Sequence, residues 1–224
     1  MSRILILVEG QTEERFVKDL VAPHLLAINP AASIRPTVIP TKRVLRGKDF
    51  KGGILNYAQI PDAIRRLLND RSALVTTLID FYGLPAETPG LATVPAKGNA
   101  DTKARHVEDA IWKDLGSPSN LKVHLALHEF EAFLFVESSA LEAAMDTEGL
   151  AVELDRIRRQ FPTPEDINQG RETAPSKRIL ALRPDFGKTS HGVNAVKRIG
   201  LEKLRSECPH FAEWLALLEG FVRS

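Results

Sequence analysis

The sequence predicts an α/β fold: a parallel sheet flanked by helices, followed by an α-helical C-terminal extension. Three observations predict it. Two apolar runs, ILILV at 4–8 and ALVTTLI at 73–79, lead straight into the acids Glu9 and Asp80. Runs of this kind are strands buried on both faces, as in a parallel sheet. Strand-like stretches then alternate with helical periodicity in the order β-α-β-α-β-α-β, which implies parallel strands joined by right-handed crossovers. From 137 to 222 the periodicity is mostly helical. Residues 1–136 are therefore assigned to the α/β domain and 137–224 to a helical extension packing on it.

The elements follow in order. Residues 3–8 form the first strand. Thr12 is a candidate N-cap, with acids in the first turn behind it. Phe16, Val17, Leu20, Val21 and Leu25 then fall on one helical face, and Pro23 is expected to kink or end that helix. A second strand, 34–39, is weakened by Pro36, and 40–56 reads as a basic loop carrying Gly47, Gly52 and Gly53. Ile60, Ile64, Leu67 and Leu68 have the i, i+4, i+7, i+8 spacing of a helix over 58–69. After the strand at 73–80 comes a loop rich in Pro and Gly, then a helix over 101–115 with Ala104, Val107, Ile111 and Leu115 on one face. LKVHLALH, 121–128, alternates, which suggests a last strand with one less buried face. The helical region has polar breaks near 162–176 and 184–190, and Cys208-Pro209 reads as a helix start.

Composition narrows the function classes. With 224 residues, the chain can bury a full core without staples. Cys208 is its one cysteine, so an internal disulfide is excluded and a reducing, cytoplasmic location is expected. No apolar stretch approaches the roughly 18–20 residues of a membrane helix. The N-terminal apolar run is too short and wrongly flanked for a signal peptide. A net charge of +1 argues against coating DNA through global charge, but leaves room for a local basic groove. Lys42, Arg43, Arg46, Lys48 and Lys51 stand against Asp49 alone, with Phe50 and Tyr57 nearby. Cations interleaved with aromatics suit a nucleic-acid backbone and unpaired bases; a solvated basic loop is the plain alternative. Lys177, Arg178, Arg183 and Lys188 form a second basic stretch against Asp185. Neither a dinucleotide fingerprint nor a P-loop is present. His128-Glu129 is half of a zinc motif, but Ala132 stands where its second histidine would be. His124 and His128, about 13 Å apart along a strand, are too distant for one metal.

In open parallel sheets, sites lie outside the carboxyl ends of the strands. Glu9, Asp80 and the His128-Glu129-Phe130-Glu131 cluster all end predicted strands. Carboxylates gathered on one edge suit Mg²⁺ or Mn²⁺. Such an ion would offset the cost of a partly buried carboxylate. Gly10 lets the backbone turn sharply or approach a phosphate. If the last strand runs through 131, Glu129 and Glu131 share a face; if a helix starts at 129, they diverge by about 200° and only one can reach the site.

ILVEGQTEERF resembles the first motif of the Toprim domain as it occurs in OLD-family nucleases and small stand-alone Toprim-like proteins: a hydrophobic strand, Glu-Gly, then Thr-Glu opening a helix. TLIDFYGLP sits where Toprim proteins place an Asp-x-Asp. ALHEFEAFLF, ETAPSKRI and IGLEKLRSECPHFAEWL resemble a stand-alone bacterial family labelled as a domain of unknown function, so the likeness spans nearly the whole chain. The resemblance implies a Toprim-like Rossmannoid sheet and a nuclease that uses Mg²⁺ or Mn²⁺ to hydrolyse the phosphodiester bonds of DNA or RNA. It makes Glu9 a metal ligand or general acid/base, Glu13 the acid of Thr-Glu, and Asp80 the first acid of Asp-x-Asp. Tyr82 stands in the second position, and a phenol does not replace a carboxylate on a hard metal; Glu129 and Glu131 are the available substitutes. Lys177 or Lys188 would stabilise developing phosphate charge. Family context implies anti-phage defence beside a separate ABC/AAA-type ATPase. The alternatives are a non-catalytic binding or sensor subunit, which Tyr82 keeps open, and a phosphohydrolase of small nucleotides.

Overall fold

Alternate side chains of one strand serve two cores. In β1 (Arg3–Val8), Ile4, Ile6 and Val8 point to one core and Leu5 and Leu7 to the other, as the two-residue repeat of a strand requires. The computed structural model describes residues 2–40, 54–168 and 170–224. β1 pairs in parallel with β2 (Ser33–Val38) on one side and β3 (Ala73–Asp80) on the other, with Val8 level with Val38 and Leu78. β3 also pairs in parallel with two short strands, β4 (Leu121–Lys122) and β5 (Leu125–Ala126). The order is β2-β1-β3-β4, with β5 also on β3. Pro36 lies in β2, an edge strand, where its missing N–H costs least. The chain runs outward from β1 to β2 and returns past β1 to β3. The strand order therefore reverses between β1 and β3, where open α/β sheets place their crevice.

On one face, α3 (Gln59–Leu67) and α4 (Ala100–Asp114) bring Ile60, Ile64, Val107 and Ile111 against Val75 and Ile79. Asn99 caps α4, its side chain accepting from the Thr102 N–H. On the other face lie α1 (Gln11–Phe16) and α2 (Ala22–Ile28), with the later helices: α5 (Ser138–Met145), α6 (Leu150–Arg158), α7 (Pro175–Leu182), α8 (Val193–Ile199), α9 (Leu201–Glu207) and α10 (Pro209–Arg223). Leu141, Leu154, Ile179, Val196 and Leu218 share a core with Ile4, Ile6 and Val8. Trp214 of α10 donates its indole N–H to Thr76 of β3 at 2.9 Å. Among the described residues no helix is long and apolar enough to cross a membrane.

Four local expectations need correction. Gly10, in extended backbone, is the N-cap of α1, and Thr12 lies inside the helix; the Glu13 carboxylate accepts the Gly10 N–H at 2.9 Å and closes that end. Pro23 does not end the helix. A π-turn over Val17–Val21 precedes α2 and widens the ladder ahead of the ring, so the chain stays helical to Ile28. The strand expected over 121–128 is broken in two. Thr77 replaces the ladder there: its hydroxyl donates to the His124 carbonyl at 2.7 Å and accepts the His124 N–H at 2.9 Å. That segment is also buried throughout 123–127, so its alternation does not mark an exposed face.

Candidate active site

β1 and β3 are neighbours, so their carboxyl ends bring Glu9 and Asp80 together at the sheet edge. Both line a cleft of about 640 Å³ with Gly10, Glu13 and Lys188. Glu13 reaches it because the turn after β1 swings α1 back over the edge. Gly83 lets the Glu9 carboxylate approach closely: a Cβ there would fall 2.5 Å from Glu9 Oε2. Asp80 is 9% exposed, and its Oδ1 accepts the Phe130 N–H at 2.9 Å. Glu131 is fully buried, and Lys188 Nζ lies 2.7 Å from its Oε1.

Glu129 and Glu131 part company at the turn. A 3-10 helix over Phe130–Phe135 begins immediately after Glu129 and sends the two side chains different ways. Glu129 accepts the Ser176 N–H at 2.9 Å, at the start of α7, while Glu131 turns to Lys188.

Electrostatics ties the acids into one group. Burial, then the Glu13 charge, pushes the Glu9 pKa up to about 7. Burial raises Glu13, and burial followed by Glu13, Glu9 and Glu131 raises Asp80 well above the carboxylate range. Burial raises Glu131 while Lys188 opposes the shift. Burial works against the charge of Lys188, yet Glu131 and Asp80 outweigh it and hold the amine above the usual lysine value. One lysine faces four carboxyls. Glu9 Oε2 and Glu131 Oε2 are buried with no hydrogen-bond partner among the described residues. Hard oxygens left bare in a buried acidic group fit a divalent cation. No three of these carboxylates bring oxygens within 4.8 Å of one another. A Mg²⁺ ion there would be held by one or two carboxylates and keep several waters.

A family model described as a domain of unknown function (DUF4276) matches residues 8–219. The chain belongs to the DUF4276 family. No curated protein matches it. Among solved structures, the C-terminal region of the Burkholderia pseudomallei OLD protein is similar, at 17% identity and a TM-score of 0.45, over 100% of this chain and 98% of that one.

The other expected site residues of this DUF4276 chain lie in several places. Lys177 stands exposed on α7 and does not line the acidic cleft; Lys188 is the amine at the acids. Thr12 lines the cleft, its Oγ1 3.4 Å from Thr189 Oγ1. Tyr82 and His128 stack on each other at 5.1 Å, bordering a different cavity. Lys42, Arg43, Arg46, Lys48 and Lys51 fall outside the described residues.

A second titratable cluster in DUF4276 escaped sequence reasoning. Glu108, His124 and His210 offer three ligand atoms within 4.8 Å of one another, a set that could hold a metal ion. Its contacts favour a hydrogen-bonded ion network instead. His210 spends both ring nitrogens on carboxylates, Asp101 and Glu108, each at 2.8 Å. Glu108 Oε1 also accepts the Leu125 N–H. The two imidazoles stack at 4.7 Å and 20°, so their in-plane lone pairs run nearly parallel rather than converging. Burial opposes the His210 charge, but Glu108, Glu165 and Asp101 outweigh it and raise its pKa. Burial, then the His210 charge, holds His124 neutral. Helical spacing of Asp101 and Glu108 was the available signal; their partner on α10 lies about 100 residues downstream.

Proposed function

We propose that this chain is a Toprim-like, divalent-metal-dependent nuclease that hydrolyses phosphodiester bonds in DNA or RNA. One observation carries the reading: Glu9 and Asp80 share a cleft at the reversal point of a parallel sheet, with Glu13 and Lys188 on its wall and Glu131 buried behind the lysine. Glu9 and Asp80 would hold the ion, and Glu131 and Glu13 would add negative charge behind it. When bound, Mg²⁺ or Mn²⁺ would supply Lewis-acid stabilisation of the phosphate and a more acidic water. Should Asp80 hold the ion without Glu9, the Glu9 carboxyl, with a pKa near 7, instead suits the transfer of a proton to or from an attacking water or a leaving oxygen, so its role is ligand or proton shuttle. Lys188 stays charged, anchored on Glu131, and offers its amine to a non-bridging phosphate oxygen. The Phe130 N–H holds Asp80 in place through Oδ1.

The motif resemblance supports the same reading, and with it a place in anti-phage defence beside a separate ATPase, since this sequence has no nucleotide-binding motif of its own. Tyr82 at the second acid position, and the spread of the carboxylates, favour one other reading: a nucleic-acid-binding or sensor subunit that does not cut. Incubation of the protein with plasmid and with structured RNA in Mn²⁺ or Mg²⁺ separates the two. The nuclease cuts, and Glu9→Gln and Asp80→Asn abolish cutting. Salt-dependent binding without cleavage by the wild type identifies the subunit.

A further inference from the structure

A second cavity, of about 620 Å³, backs onto the acidic cleft. The turn Phe81–Gly83 is the wall between them. Gly83 lies against the Glu9 carboxylate on one side, while Phe81 and Tyr82 line the cavity on the other. This volume falls within the range of ligand pockets.

Its chemistry is specific. Tyr82 is 37% exposed, whereas Phe16, Phe130, Phe135, Phe211 and Trp214 are fully buried. One face of Tyr82 lies on the His128 ring, 5.1 Å between centroids and 18° between planes. Phe81 meets Tyr82 edge-on at 6.0 Å. Burial lowers the His128 pKa to about 4, so a neutral ring backs the tyrosine at pH 7. His128 holds left-handed backbone, φ +67°, unusual for a residue with a side chain. Its carbonyl accepts the Tyr82 N–H at 3.1 Å, locking the two rings together. Strain of that kind persists only where the surroundings enforce it. His128 Nδ1 is buried with no hydrogen-bond partner among the described residues. Lys103, Asp166 and Asn168 add a cation, a carboxylate and an amide to the rim.

We infer that the Tyr82–His128 stack is a platform for one unpaired nucleobase, held in this cavity beside the cleft that takes the phosphate. The inference rests on the nucleic-acid reading of that cleft and adds a substrate class: a single-stranded or flipped-out nucleotide. A flat π-face binds any base, whereas Lys103 is placed for a backbone phosphate or a base carbonyl.

Fluorescence anisotropy with two labelled oligonucleotides of equal length and charge, in EDTA, tests it. One is an oligo-dT; the other carries abasic sites at its centre. The wild type is expected to prefer the oligo-dT by about 5- to 150-fold, the range for one stacked base. Tyr82→Ala removes the preference by weakening oligo-dT binding to the abasic level. Tyr82→Phe keeps it, which separates stacking from misfolding. Equal binding of both oligonucleotides by the wild type, binding of neither, or an unchanged preference in Tyr82→Ala overturns the inference. Cleavage is scored separately in Mn²⁺. A protein that discriminates the bases but does not cut loses the nuclease reading alone, and one that cuts without discriminating loses the base platform alone.

Discussion

Lys188 Nζ stands 2.7 Å from Oε1 of Glu131, a carboxylate with no exposed surface. The lysine side chain is 46% exposed, so the pair joins a buried acid to an amine at the cleft mouth. Removing one partner of such a pair leaves a buried charge uncompensated. Lys188→Met should destabilise the protein by about 1–3 kcal/mol at pH 8, below the figure for fully buried pairs because solvent already screens the amine. Loss of the amine raises the Glu131 pKa further. An acid whose folded pKa is raised loses stability as pH climbs above its unfolded value, so the deficit should shrink at pH 5. Urea unfolding at the two pH values measures this, and adding Glu131→Gln should restore most of the loss at pH 8. A deficit that is the same at both pH values would show that the lysine acts by packing.

The three cleft acids and the buried Glu131 behind them make a metal-linked prediction. Glu9, Glu13, Asp80 and Glu131 all have raised pKa values, with Glu9 near 7. The folded state therefore binds more protons than the unfolded chain above pH 4.5. Stability without metal should fall as pH rises from about 4.5 through 7. A cation in the cleft takes over the role of those protons. Millimolar Mn²⁺ or Mg²⁺ should raise the Tm at pH 8 and leave it nearly unchanged at pH 5. Differential scanning fluorimetry reads both, and in Glu9→Gln/Asp80→Asn the metal response at pH 8 should vanish.

Gly83→Ala tests how closely Glu9 is held. The new Cβ would lie 2.5 Å from Glu9 Oε2, so the carboxylate must move. The backbone of Gly83 is not left-handed, so alanine introduces no dihedral strain. Misplacing a catalytic group by an ångström costs on the order of 100-fold in rate. Cleavage should therefore fall by about that factor while the Tm shifts by only a few degrees. Cleavage that stays at the wild-type rate would place Glu9 outside the chemistry.

The legible parts of this chain were the ones with strong local signals. ILILV and ALVTTLID announced β1 and β3, and the latter is buried at all eight positions. The spacing of Ile60 and Ile64 announced α3. The alternation in LKVHLALH misled, because the break at His124 comes from a hydroxyl on Thr77, which no local pattern reports. The acids at strand ends could be marked as candidates, since a parallel sheet puts its carboxyl ends on one edge. Their division of labour was not legible. Whether Glu129 or Glu131 turned to the cleft lysine depended on where a 3-10 turn began, and the choice between Lys177 and Lys188 depended on how the C-terminal helices return to the sheet.

The His210 network was the least legible feature, and it makes the last prediction. His210 sits between Asp101 and Glu108 of α4, while the Glu165 carboxylate accepts the N–H groups of His210 and Phe211 at the start of α10. The imidazolium thus ties α10 to α4, and Glu165 ties α10 to the segment before α7. The groups facing it include Arg105, ion-paired to Asp101, and neutral His124. The His210 pKa is raised in the fold, so its contribution is fully present below its unfolded value of about 6.5 and fades as pH rises through the folded one. His210→Asn keeps a polar side chain but cannot carry the charge, leaving the buried Glu108 facing no cation while Asp101 keeps Arg105. It should cost about 3 kcal/mol at pH 6 and progressively less as pH rises through the raised folded value. Urea unfolding across that range decides it: a cost that stays constant with pH would mean that His210 is neutral and the network is held by hydrogen bonds alone.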